Sequence, residues 1–480
     1  MTIASPLDAP VAAIPENSLV TSPILPTLLK LALPNAVAMF GSTLVAVAET
    51  SYIGRLGIEP LAGIALVFPF VMLTQMMSAG AMGGGVSSAI SRALGAGDRD
   101  RAATLALHAA IIGACSGLFF TAMMLLFGRQ FFTLLGGRGG VLEQACNYSV
   151  VLFSGAVSIW LVNTLASVLR GTGDMRLPSA TLIGVAIVQT AVGGALGLGL
   201  AGLPRFGMHG VAAGQLIAFS LGAIFLLWYL VSGRSRLTLN FKGFTFQRDM
   251  FFDILKVGAV SCLSPLQGVL TISIFTHMLA GFGTAVLAGY GIGARLEFML
   301  TSVAFSVGIA SVPMIGMAIG AERIARARRI AWIAGLVSFI SVGAIATVIA
   351  IFPDLWVNIF THDEGVRAAS RQYLSTAAPC YAFLGLAMSM YFSSQGAAKV
   401  VGPVLAQSGR LLLIGGGGWY LTTHGATAAD FFTLAAASMV VLGVSSCSSV
   451  ILTRWGPKRA TAAPFRSALP GVAAANKVSV

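Results

Sequence analysis

Charge is scarce in this chain: only 9% of its 480 residues are Asp, Glu, Lys or Arg, where a soluble protein spends about a quarter. That deficit, with 56% hydrophobic residues and a mean hydropathy of +0.88, excludes a water-soluble globule. Paired cysteines are missing too. Cys115, Cys146, Cys262, Cys380 and Cys447 stand singly in or beside apolar stretches, which excludes a disulfide framework or thiolate metal centre and leaves them as small packing residues. The five histidines are scattered near the ends of apolar stretches with no HExxH pattern and no acidic partners, so a membrane metalloenzyme lacks its ligands. No cofactor is expected. Gly197–Gly202 reads GLGLAG but follows no strand, and Gly171–Asp174 lacks the Lys and Ser/Thr of a phosphate loop. Segments alternating with a period of two are absent from stretches such as 61–91, which excludes a barrel.

What the chain does have is a succession of apolar stretches about 20 residues long, the length that crosses a bilayer as a helix. They fall at 25–51, 61–91, 102–127, 147–169, 178–202, 208–232, 254–280, 287–319, 331–352, 373–395, 401–422 and 430–453. The 57 glycines and 18 prolines suit helices that pack closely and kink in lipid. An all-α integral membrane protein of about twelve spans is therefore expected. Its formal charge of +13 is not a nucleic-acid patch: with both termini cytoplasmic, 21 of the 29 basic residues fall on the inner side, seven fall outside and Arg410 lies within a span. This is the distribution of a multi-pass protein of the plasma (inner) membrane. Residues 1–24 carry no Lys or Arg before the first span and read as a disordered cytoplasmic tail rather than a cleaved signal.

The two halves of the chain repeat one another. LAGIAL at Leu61–Leu66 returns as LAGYGI at Leu287–Ile292, and ALGA at Ala93–Ala96 returns as AIGA at Ala318–Ala321. Tyr148, Gly171 and Pro178 recur as Tyr373, Gly396 and Pro403, all at an offset of 225. A unit of six spans, being even, enters the membrane the same way twice, which gives a parallel repeat about an axis along the membrane normal. The expected organisation is a first lobe at 25–233, a basic linker at 234–253, a second lobe at 254–453 and a basic tail at 454–480. Two lobes around a midplane cavity favour a carrier over a channel.

The repeat landmarks sit among motifs that resemble the multidrug and toxic compound extrusion (MATE) transporters of prokaryotic type. They are AETSYIGRLG at Ala48–Gly57, RALGAGDRDRA at Arg92–Ala102, RGTGDMRLP at Arg170–Pro178, FGMHGVAAG at Phe206–Gly214 and GIGARLEF at Gly291–Phe298. The resemblance implies a V-shaped pair of six-helix lobes in a monomer that exports amphipathic or cationic small molecules in exchange for H⁺ or Na⁺, an antiporter and not an enzyme. A lipid-linked saccharide flippase of the same superfamily is the rival reading. It is disfavoured because Arg410 is the one clear mid-span cation. A membrane-embedded enzyme or a channel is more distant.

Ionisable groups in hydrocarbon are costly and thereby mark function. Of 16 acidic residues only Glu49 and Glu297 fall well inside spans. Glu49 is the expected coupling carboxyl, able to exchange a proton for a cation or to bind Na⁺ directly. The resemblance implies polar partners for it from helices four to six, and Asn163, Gln189 and Gln215 occupy them. Where the family often places a second acid in helix five this chain has Gly193, and losing that charged ligand favours a proton over Na⁺. Glu297 is a second coupling candidate or a structural charge paired with Arg410; Arg295, two residues earlier, points from another helix face. Pro34, inside the first span, is the expected gating kink. Met39, Phe40, Phe68, Met72, Met76 and Trp160 are candidates to line an adaptable substrate cavity.

Overall fold

A computed structural model of the chain describes residues 18–200, 202–239 and 245–456. The expected tail through residue 17, Lys242 of the linker and the basic tail from residue 457 lie outside the described residues. After a single turn at Ser18–Thr21, the first half comprises α1 (Ile24–Leu56), α2 (Ile58–Gly95), α3 (Arg99–Leu134), α4 (Gly139–Ser154 with Ala156–Gly171), α5 (Arg176–Leu198) and α6 (Gly207–Val231). In the second half follow α7 (Arg248–Ala280), α8 (Thr284–Gly320), α9 (Ile324–Ile351), α10 (Glu364–Ala377 and Tyr381–Gly396, joined through Ala378–Cys380), α11 (Val401–Thr423) and α12 (Ala428–Leu452). Nine of these helices are long and apolar enough on their own to cross a membrane, and the bent α4 makes a tenth.

The repeat accounts for the other two. Shifting by 225 carries Gly139–Gly171 onto Glu364–Gly396 and Arg176–Leu198 onto Val401–Thr423, so α10 and α11 are the counterparts of α4 and α5. Even the breaks coincide. Chain α4 bends by 50° at Gly155, and α10 turns through Ala378–Cys380 at the equivalent place. Each lobe also opens its second helix from a glycine in a backbone region closed to other residues, Gly57 at φ 134° and Gly283 at φ 97°. The twelve helices form the two-lobe fold expected from sequence.

Each lobe has its own apolar core. One is built on Phe120, Phe153, Trp160 and Leu226, the other on Tyr290, Tyr373, Tyr381 and Phe432. A third cluster joins α1 to α8 and α9 around Leu28, Met314 and Ile330. At their C-terminal ends α2 and α8 meet through glycines. A side chain at Gly95 would strike the Met317 backbone, one at Gly320 the Arg92 carbonyl, and one at Gly316 the Ser91 hydroxyl. Small residues allow this approach, which van der Waals packing stabilises where lipid offers no hydrophobic gain. Ser88 Oγ donates across the seam to the carbonyl of Gln395, and Arg92 Nη2 reaches Asp253 Oδ1 of α7 at 2.8 Å. The halves are thus shut against each other at the basic end of the molecule.

The symmetry is broken inside α2. Met76–Met82 winds as a π-helical turn, whereas the equivalent stretch of α8 stays α-helical. Such widened turns need a local reason. Here Ser78 Oγ bonds back to the Thr74 carbonyl at 2.7 Å and accepts from Asn163 of α4 at 2.8 Å, a polar contact made at the turn itself.

Candidate functional site

Glu49 lies three-quarters of the way along α1, partly buried among Leu44–Ala48. Gln189 Nε2 from α5 donates to its Oε1 at 2.7 Å. One turn on, Tyr52 Oη donates to the Thr190 carbonyl at 3.2 Å, so α1 is tied to α5 at two successive levels. The other expected partners stand apart from Glu49. Gln215 on α6 accepts from Tyr148 Oη at 2.9 Å, while Asn163 on α4 donates to Gln75 Oε1 at 2.9 Å and to Ser78 Oγ. Of the three amides, Gln189 alone hydrogen-bonds the acid. Gly193, where a second acid was looked for, belongs to a backbone crossing in which a side chain at Gly214 would strike it. Tyr52, Gln75 and Ser78 were not singled out from sequence, and Tyr148 stood out only as a repeat landmark.

A cavity lies elsewhere, against the second lobe. It holds about 360 Å³, and α2 is the single first-lobe helix in its wall, facing α7, α8, α10, α11 and α12. Phe68, Met72 and Met76 line it. Met39 and Phe40 do not, because α1 does not reach the cavity; Phe40 is 51% exposed on another face. Trp160 is displaced further still. It is 1% exposed and packs on Phe120 of α3, ring centroids 5.4 Å apart, as a core residue of the first lobe.

Among the described residues, two charged side chains border this cavity, Glu297 of α8 and Arg410 of α11. Arg410 Nη2 lies 3.8 Å from Glu297 Oε1, the cross-helix pairing suggested by sequence. The pair also lines, with Tyr373 and Ser438, a small void of about 20 Å³, room for about one water. Arg295 points away and covers the ring of Phe360 at 5.2 Å. Pro34 does not interrupt α1, which runs 33 residues without a break, but its neighbour Asn35 is fully buried, with neither amide atom hydrogen-bonded among the described residues.

Two lobes, a shut basic end and a cavity bordered by one ion pair describe a transport protein. The sequence profile of the MatE family matches residues 34–194 and 262–414, most of the chain. The chain belongs to the MatE family. It is therefore a membrane transporter and not an enzyme. Among its relatives, a protein named probable multidrug resistance protein NorM from Thermotoga maritima is 25% identical over 383 residues, spanning 79% of this chain and 81% of the relative. A protein named FAD transporter from Shewanella oneidensis is 27% identical over 316 residues, 65% and 69% of the two chains. In fold, this MatE protein is similar to a MOP superfamily transporter from Pyrococcus furiosus, with a TM-score of 0.84 at 22% identity, covering 91% of this chain and 98% of that one. The bent form of the Vibrio cholerae transporter VcmN gives a TM-score of 0.81 at 21% identity, covering 89% and 96%.

Proposed function

We propose that this MatE protein is a multidrug exporter, carrying amphipathic or cationic organic compounds out of the cell by alternating access in antiport with H⁺. The observation that carries the reading is Glu49, a carboxyl among apolar residues whose one side-chain partner among the described residues is the Gln189 amide. A Na⁺ ion at that place would find one carboxylate and no second acid, a thin set for a hard cation that takes several oxygens. A proton needs no such set. Names carried by relatives, among them multidrug resistance protein NorM and multidrug export protein MepA, agree with drug export.

The chain sits in the plasma membrane as a monomer, with both termini in the cytoplasm. With that orientation the shut α2–α8 seam is cytoplasmic and the described state is outward-facing. The next state requires the lobes to part at the seam, with α1 flexing near Pro34 and its buried neighbour Asn35. An outward-to-inward pH gradient then drives export, each charge moving down 100 mV supplying about 2.3 kcal/mol.

Inside-out vesicles loaded with an acidic lumen test this directly. Uptake of a cationic dye should follow the pH gradient, stay insensitive to Na⁺, and be abolished by Glu49→Gln. Gradient-driven uptake that survives in Glu49→Gln removes Glu49 from the mechanism; uptake that follows Na⁺ alone replaces the coupling ion. Pro34→Ala should slow turnover, and wild-type rates in that variant dispose of the hinge. A second reading, export of an anionic aromatic compound, is favoured by Arg410 on the cavity wall and agrees with the name of the Shewanella relative. The saccharide flippase has less support, since one arginine is a poor lining for a pyrophosphate.

A further inference from the structure

The second-lobe cavity has an unusual polar floor. Its two charges face one another at 3.8 Å, beyond the 2.7–3.2 Å of an N–H···O hydrogen bond. Among the described residues Arg410 makes one other side-chain hydrogen bond, Nε to Ser438 Oγ at 3.4 Å, so most of its five N–H donors have no partner there. Among the described residues the Glu297 carboxylate is engaged by Arg410 alone. Both side chains are nearly enclosed, at 11% and 16% exposure, and an ion pair taken out of water recovers its desolvation cost only when further hydrogen bonds complete it. This one is incomplete on the side that faces the cavity.

The charges sum to zero, and that restricts what enters. A cationic guest that takes Glu297 strips Arg410 of its counter-ion; an anionic guest that takes Arg410 strips Glu297. Either way one buried charge is left uncompensated, the costly outcome. A guest with both charges replaces the one long contact with two short ones and leaves neither group alone. The remaining wall is apolar and soft, with Phe68, Met72, Met76, Phe298 and Phe305 available to an aromatic body.

From this geometry we infer that the second-lobe cavity is a binding site for aromatic zwitterions, whose cationic group is held by Glu297 and whose anionic group is held by Arg410. The assignment rests on the drug-export reading and narrows its substrate class.

Two dyes isolate the point. Rhodamine 110 is a zwitterion, and rhodamine 123 is its methyl ester, a cation of nearly the same shape. Fluorescence polarisation with the purified full-length protein, and export from vesicles, should show rhodamine 110 preferred by at least about tenfold, the effect of one hydrogen bond to a charged group. Arg410→Gln should reduce that ratio by about tenfold, and Arg410→Lys should retain most of it. Because Arg410→Gln leaves Glu297 unpaired and threatens folding, the charge-free Glu297→Gln/Arg410→Gln variant is measured beside it, and its ratio should fall close to one. Equal handling of the two dyes by the wild type, preference for rhodamine 123, or a ratio untouched by Arg410→Gln overturns the zwitterion assignment while leaving drug export standing. Binding and export of neither dye overturns both.

Discussion

At the scale of single residues, divergence between the halves has left strain in the second. Gly97 and Gly173 close the turns after α2 and α4 at φ 81° and 87°; their counterparts are Glu322 and Ala398, both held at φ 56°. A residue with a Cβ pays about 1–2 kcal/mol in that region, while replacing it with glycine costs about 0.4–1 kcal/mol through the looser unfolded chain. The difference favours glycine. Ala398→Gly should therefore stabilise the protein by roughly 0.5–1 kcal/mol, read as a higher midpoint of thermal unfolding in detergent; a lower midpoint means that the turn is not strained. Gly97→Ala should have the opposite effect. Glu49 and Glu297 were visible in the sequence for the reason that makes them expensive: a carboxyl among aliphatic neighbours has no routine explanation. Trp160 was misplaced because an aromatic residue on an apolar helix looks the same whether it faces a neighbour or a cavity. The partners of Asn163 were equally hidden, since no spacing in the sequence says which of several buried amides meet.

Elements show where the molecule is held shut and where it is clamped. The α2–α8 seam depends on glycine at three places, and Gly320 is pressed against the Arg92 carbonyl, which has no flexible end to move aside. Gly320→Val should wedge the seam open. Spin labels on the α2–α3 and α8–α9 turns should then report longer distances than in the wild type, and unchanged distances mean that the seam closes by other contacts. On the opposite side, the single turn Asp354–Val357 between α9 and α10 supplies Asp354 to Arg371, Nε to Oδ1 at 2.8 Å, and Arg367 stands nearby at 3.9 Å. The Arg371 hydrogen bond holds the Asp354 carboxyl below its ordinary value. A depressed folded-state value means that this contribution is present above the usual carboxylate range near 3.9 and is lost as pH falls towards the lower value. Because the pair is solvent-exposed, the effect is small and screened by salt. Thermal midpoints of wild type and Asp354→Asn should accordingly differ at pH 7 and low salt and converge in strong acid; a constant gap means that the ion pair is not the cause. Helix positions and the repeat were legible because hydrophobic length and landmark spacing are written locally. Nothing local marks the π-turn at Met76–Met82, where Asn163 arrives from another helix.

For the whole molecule, duplication built two lobes with matching helices, matching breaks and unlike chemistry. Sequence alone located an acid in each lobe but placed the main site in the first, because the cavity is a property of how α2 meets the second lobe and no single stretch encodes it. The geometry keeps the two candidate groups apart. Glu49 and Gln189 lie on α1 and α5, neither of which borders the cavity, whereas Glu297 and Arg410 border it directly. If gradient coupling resides at Glu49 and cargo recognition at Glu297 with Arg410, the two must communicate through movement of the lobes, and thermodynamic linkage then fixes the pattern of variants. Glu49→Gln should reduce gradient-driven export by at least about tenfold yet change dye affinity in detergent by less than about threefold, since it removes a coupling free energy and not a contact. Arg410→Gln should act the other way, weakening binding of a zwitterionic dye first and driven export only in proportion to lost occupancy. Measuring affinity and export side by side in both variants decides it. Parallel losses of affinity and export in Glu49→Gln would place the acid at the cargo site after all, by way of a state in which α1 swings into the cavity.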